Sequence, residues 1–136
     1  MARYFTINEM LKSDVAAKNG INNFKATTPD IIVNCEYTLQ RLDKIREIYG
    51  KPIIISSGYR CKQLNDLVGG APNSQHLSGF AVDIQYDLNL IEAIKKYGHF
   101  DQLILEQKKR SKTKWLHISF KPNIELERKQ ILNLNV

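Results

Sequence analysis

Along the first fifty positions, apolar residues recur at spacings of three and four. Phe5, Ile7, Met10, Leu11 and Val15 fall on one side of a helix over residues 5–17, with Thr6 as its cap. Residues 19–23, Asn-Gly-Ile-Asn-Asn, break that pattern and read as a loop. A longer helix opens at Thr28-Pro29-Asp30, with Thr28 as cap and proline in the first turn. Its apolar positions Ile31, Ile32, Cys35, Leu39, Leu42, Ile45 and Ile48 keep the helical period until Gly50 ends it. The run Pro52-Ile53-Ile54-Ile55-Ser56 is β-branched and predicts a buried strand. A short helix over 61–68 stops at Gly69-Gly70, and residues 71–79 form a polar loop.

Beyond residue 79 the period changes to two. Phe80, Val82 and Ile84 fall on one face of a strand, and Ala81, Asp83 and Gln85 on the other. A helix over 88–97 closes at Gly98, and residues 100–107 and 114–120 form a hairpin across the tip Lys108-Lys109-Arg110-Ser111-Lys112. Within the hairpin Gln102 and Glu106 share a face, as do Trp115, His117 and Ser119; Leu103, Leu105, Leu116, Ile118 and Phe120 take the opposite faces. The expected fold is α+β, a small antiparallel sheet with helices packed on one face and the other left for a functional site.

Composition narrows the class. A chain of 136 residues with 43% hydrophobic and 25% charged residues suits one globular domain covering 1–136, and excludes a disordered chain. No apolar run approaches the roughly 20 residues that cross a bilayer. The first ten residues lack the apolar stretch of a signal peptide, so synthesis in the cytoplasm is expected, with Cys35 and Cys61 as free thiols. Residues 107–136 carry 8 basic against 2 acidic residues, which accounts for the whole formal charge of +6. Such a segment is either a solvated tip and tail or a surface for an anionic envelope; nucleic acid is a poor fit, because aromatic residues are not interleaved with the basic ones. A monomer is expected.

His76, Asp83 and His117 carry the chemistry. Two imidazoles and a carboxylate form the ligand set of an open zinc site, which leaves a position for water; a closed structural site would draw on more thiolates than two distant cysteines supply. Asp83 lies between apolar neighbours and needs a cation, either a metal or a partner such as Arg60 or a lysine. Glu106 can reach the face of His117 and serve as the general base, or else balance Lys108 or Lys109 at the tip. Asp101 is the second candidate for that role, although its parity points it to the other face. Arg60 follows a strand and a Ser-Gly-Tyr turn, where its planar fork can hold a substrate carboxylate or steady an oxyanion. Ser74 and Gln75 either bond substrate or organise the loop before His76. Gly79 supplies that loop's turn. Trp115 either walls the cleft or packs in the core, Gln102 can orient a ligand imidazole, and His99 faces solvent.

Four segments in order carry a resemblance: Ser57-Gly58-Tyr59-Arg60, Ser74-Gln75-His76-Leu77-Ser78-Gly79-Phe80-Ala81-Val82-Asp83, Phe100-Asp101-Gln102-Leu103-Ile104-Leu105-Glu106, and Trp115-Leu116-His117-Ile118-Ser119. They resemble the zinc peptidases of the D-alanyl-D-alanine carboxypeptidase and L-alanyl-D-glutamate endopeptidase group, whose fold is shared with lysostaphin-type enzymes and the hedgehog signalling domain. The resemblance covers about half the chain. It implies Zn2+ held by His76, Asp83 and His117, substrate bound by Arg60, and peptidoglycan stem peptides as substrate. One departure is Lys114, which stands where some relatives carry the acid three residues before the last histidine. The reading is a zinc peptidase acting on the cell wall, with a phage endolysin released by a holin as its specific form. The alternative is a non-catalytic zinc-containing domain on the same fold that binds a peptide or polyanion.

Overall fold

The computed structural model describes residues 1–135. Its elements follow the order α1 (Ile7–Leu11), α2 (Asp14–Lys18), α3 (Pro29–Tyr49), β1 (Ile55–Ser57), α4 (Lys62–Leu67), a 3-10 turn (Gln75–Ser78), β2 (Ala81–Gln85), α5 (Leu88–Tyr97), β3 (Gln102–Gln107), β4 (Lys114–Ser119), a second 3-10 turn (Ile124–Leu126) and β5 (Gln130–Asn135). The expected α+β architecture is present. The helix expected over 5–17 is instead two short helices, because Lys12 is extended and Ser13 caps α2 by accepting from the Ala16 N–H at 3.1 Å.

α3 forms as its punctuation dictates. Thr28 Oγ1 accepts from the Ile31 N–H, Pro29 fills the first turn, and Gly50 ends the helix in the left-handed region at φ 77°. Its inner face buries Cys35, Leu39, Leu42 and Ile45 against the sheet. α5 runs from the Asp87 cap to Gly98 and buries Leu90, Ile91 and Ile94 beside it. Burial pushes the Cys35 thiol up to about 12, so it acts as a small apolar side chain.

The sheet order is β1-β2-β4-β3-β5. Four strands pair antiparallel, and Asp83↔His117, Ile104↔His117 and Glu106↔Trp115 are cross-strand partners. Val82, Ile84, Leu103, Leu116 and Ile118 are fully buried on the helix side. The opposite face carries Asp83, Ile104, Glu106, Trp115 and His117. This alternation is the one that the period-two pattern predicts.

Two expectations change. The apolar run ahead of Ser57 is not a buried strand: β1 is a three-residue edge strand with a register shift, and Ile54 is 67% exposed while Ile53 is buried. The sheet also has a fifth strand, parallel to β3. β4 returns the chain to the start of β3, so one 3-10 turn suffices to lay β5 alongside without a long crossover. Ion pairs fix this last segment. Arg41, stacked on Phe120, donates to both Glu127 carboxylate oxygens at 2.7 and 3.0 Å. Arg128 donates to Asp101 through its backbone N–H, Nε and Nη2 at 2.6 to 3.0 Å.

Asp101, the second candidate for the base, is therefore a structural residue. Its side chain has no exposed surface and also accepts from Gln75 Nε2 at 3.1 Å. Burial raises its pKa, but the hydrogen bonds and charge of Arg128 outweigh this and hold it below the usual carboxylate range. A folded pKa below the unfolded value of about 3.9 stabilises the protein fully above that pH, and the contribution is lost as pH falls through the folded pKa. Asp101→Asn is expected to cost about 1.5–3 kcal/mol at pH 7, with the difference from wild type shrinking toward pH 3. Urea unfolding at both pH values checks this.

Candidate active site and metal centre

Three elements bring the metal candidates together. His76 sits in the 3-10 turn, Asp83 in the middle of β2, and His117 opposite it on β4. The turn is built for one conformation. Ser74 Oγ accepts from the His76 N–H at 3.2 Å, and Gly79 closes the turn at φ 83° with its carbonyl held by Thr38 Oγ1 at 2.7 Å. A Cβ at Gly79 would lie 2.9 Å from Cys35 Sγ, so α3 and the turn need glycine there. Gln75 Nε2 donates to Asp101 and to the Phe120 carbonyl at 3.1 and 3.3 Å. Ser74 and Gln75 both line the cleft, yet their polar atoms organise the loop.

The donor atoms form a nearly equilateral triangle. His76 Nε2 lies 3.2 Å from Asp83 Oδ1 and 3.2 Å from His117 Nδ1, and His117 Nδ1 lies 3.3 Å from Asp83 Oδ1. A tetrahedral ion with donors about 2.0 Å away requires them about 3.3 Å apart. His76 Nδ1 lies 2.7 Å from the Gly58 carbonyl, which can only accept, so the proton is on Nδ1 and the Nε2 lone pair faces the centre. A lone pair and a carboxylate directed at one point, beside a second imidazole nitrogen, suit a bound cation. Burial lowers the pKa of His76 and favours its neutral, ligating form. Burial raises that of Asp83, but the neighbouring His76 and His117 side chains outweigh this and hold it well below the usual range, so it is a carboxylate.

A cleft of about 850 Å³ opens over this triangle, walled by Arg60, Glu106 and Trp115 among others. Arg60 Nη2 stands 3.8 Å from Asp83 Oδ2. One Asp83 oxygen thus faces the imidazoles and the other the arginine. Burial lowers the Arg60 pKa against the opposing charges of Asp83 and Glu106, and its Nε–H is buried without a partner among the described residues. Glu106 Oε2 accepts from Trp115 Nε1 at 2.7 Å. That contact places the indole in the cleft wall rather than the core. Burial and the charge of Asp83 raise the Glu106 pKa, against the pull of His117, Trp115 and Arg60.

The peptidase M15 family model matches residues 3–119 of this chain. The chain belongs to the peptidase M15 family. A zinc D-Ala-D-Ala carboxypeptidase of Streptomyces albus G is 40% identical over 52 residues, which are 38% of this chain and 20% of that protein. The chain thus spans about one fifth of the length of this curated relative. Donor set, spacing and family membership together make zinc the cofactor of this M15 peptidase.

Some expected positions behave differently. Gln102 does not orient an imidazole: its Nε2 donates to Gln130 Oε1 at 2.7 Å. The Gly58 carbonyl orients His76 instead. Gly58 is glycine because a Cβ there would lie 2.5 Å from the Met10 carbonyl oxygen. Three buried contacts of Asn23, to the Leu11 and Tyr59 carbonyls and the Cys61 N–H, clamp the same turn at 2.9 Å each. Asn65 Oδ1 accepts from Arg60 Nη1 at 3.3 Å while its amide donates to the Ala71 carbonyl. His99 is exposed as expected, and Tyr59 is buried in the core. Gly58→Ala is expected to cost about 1–3 kcal/mol and to weaken zinc binding about 10–100-fold by shifting the carbonyl behind His76. Thermal unfolding and competitive zinc titration measure the two effects.

Proposed function

We propose that this M15 peptidase hydrolyses an amide of the bacterial peptidoglycan stem peptide, with His76, Asp83 and His117 as zinc ligands. The observation that carries the reading is the triangle of donors with sides of 3.2 to 3.3 Å at the floor of an open cleft. Zinc bound there supplies a Lewis acid and an acidified water. With zinc held there, Glu106 would be the group that accepts a proton and passes it to the leaving amine; burial and the charge of Asp83 raise its pKa, and Trp115 fixes its carboxylate. Lys114 at the position used by some relatives does not interrupt this, because Glu106 already lines the cleft. Arg60 offers its unpartnered Nε–H to a substrate carboxylate or developing oxyanion. Ser74, Gln75 and Trp115 shape the approach.

The whole chain is read as one catalytic domain working as a monomer. Exposed Lys108, Lys109, Arg110 and Lys112 at the hairpin tip support association with an anionic envelope. Their contribution is screened by salt, so wall binding is expected to weaken steadily between low and physiological ionic strength. The specific role proposed is that of a lysis enzyme of phage origin, and phage genes beside its own are the expected neighbourhood. The test of the activity is digestion of purified peptidoglycan followed by mass spectrometry of the muropeptides. Products that vanish with chelator and return with zinc are expected, and their masses identify the bond. An intact wall under zinc-replete conditions would leave a binding domain in place of an enzyme.

A further inference from the structure

β5 changes the shape of the cleft. The family match ends at Ser119, and this strand lies beyond it. Its register pairs Gln102↔Gln130, Ile104↔Leu132 and Glu106↔Leu134. Parallel partners at the same register share a face, so Leu132 and Leu134 extend the face that carries His117, Ile104 and Glu106. The side-chain hydrogen bond between Gln102 and Gln130 and the presence of Leu134 in the cleft lining agree with that placement. Leu132 is 37% and Leu134 46% exposed, and Ile104 beside them is half-buried. The result is an aliphatic shelf that is continuous with the metal centre. Gln102 and Gln130 bound one end, and Glu106 and Lys108 the other.

Distance fixes what the shelf can reach. Leu132 is two strands from His117, which is roughly 10 Å at about 4.8 Å per strand, and an extended peptide covers that in about three residues. We infer that Ile104, Leu132 and Leu134 form a specificity subsite for the side chain of the substrate residue two to three positions from the cut amide, and that this side chain is aliphatic along its length. In a stem peptide the middle position holds a diamino acid. Its methylene chain lies on the leucines while its charged end stays in water, as long cationic side chains do on apolar surfaces. This assignment rests on the peptidase reading above.

The test uses zinc-loaded protein and two synthetic stem pentapeptides, one with lysine and one with serine at the third position. Wild type is expected to favour the lysine peptide about tenfold in kcat/KM, the scale of burying one or two methylene groups. The double variant Leu132→Thr with Leu134→Thr keeps β propensity and alters an exposed strand, and is expected to lose the preference with its melting temperature unchanged. Independently of turnover, the methyl resonances of Leu132 and Leu134 should shift with the lysine peptide and much less with the serine peptide. Equal cleavage of both peptides by wild type, or a preference retained in the variant, would discard the shelf and leave the peptidase reading standing. Methyl shifts without cleavage would keep the shelf and remove the peptidase reading. Methyls silent to both peptides overturn the proposal, as does a stable dimer of wild type that the variant dissolves, which would assign the leucines to a second copy of the chain.

Discussion

Glu106→Gln is expected to lower kcat on muropeptides by roughly 10²–10⁴-fold, the usual worth of a positioned acid–base group, with zinc still bound at one ion per chain. The substitution is nearly isosteric, and the amide oxygen of glutamine can still accept from Trp115 Nε1, so the cleft wall keeps its shape. What disappears is the capacity to carry a proton. The environment explains why this carboxylate suits the task. Burial and Asp83 raise its pKa, while His117, Trp115 and Arg60 limit the rise. Turnover and zinc content are measured on the same sample. Undiminished turnover would assign proton transfer to another group, and loss of zinc would place Glu106 among the ligands.

His117→Ala is expected to abolish turnover and to weaken zinc binding more than 100-fold, beyond the 10–100-fold typical of residues that merely support a ligand. His117 is half-buried at the floor of the cleft and its β4 neighbours Leu116 and Ile118 are fully buried, so the strand has its own reason to stay in place. Losing it leaves His76 Nε2 and Asp83 Oδ1 as a pair, one donor short of the triangle. The separation of metal loss from misfolding comes from unfolding with and without chelator. A ligand bound only by the native state stabilises it by mass action, so chelation should lower the melting temperature of wild type and leave that of His117→Ala unmoved. A variant that still responds to chelator would retain a site built on other residues.

The central part of this protein was legible because its signals are local and periodic. α3 and α5 carry both a cap and a terminating glycine, and both occupy nearly the residues their punctuation predicts. The two-residue alternation in β2, β3 and β4 separates core from site without any knowledge of strand order. It therefore places Asp83, Glu106, Trp115 and His117 on one face. What the sequence hides is pairing between backbone groups and distant partners. Nothing local in Ser57-Gly58-Tyr59-Arg60 reveals that the Gly58 carbonyl meets His76, or that Met10 presses on that glycine. Nor does the sequence reveal that Asp101, the second candidate for the base, is held by Arg128, or that Gln75 Nε2 donates to Asp101 and the Phe120 carbonyl. β5 was unreadable for another reason. Its side chains are exposed on both faces, so no burial imposes a clean alternation, and its partner is chosen by where β4 leaves the chain.

Diffraction from zinc-loaded crystals on either side of the zinc absorption edge tests the metal centre without relying on activity. The expected result is one anomalous peak per chain within about 2.0–2.2 Å of His76 Nε2, Asp83 Oδ1 and His117 Nδ1. A peak coordinated by other residues, or none at those three atoms with zinc in excess, would contradict the assignment on which the hydrolytic reading stands.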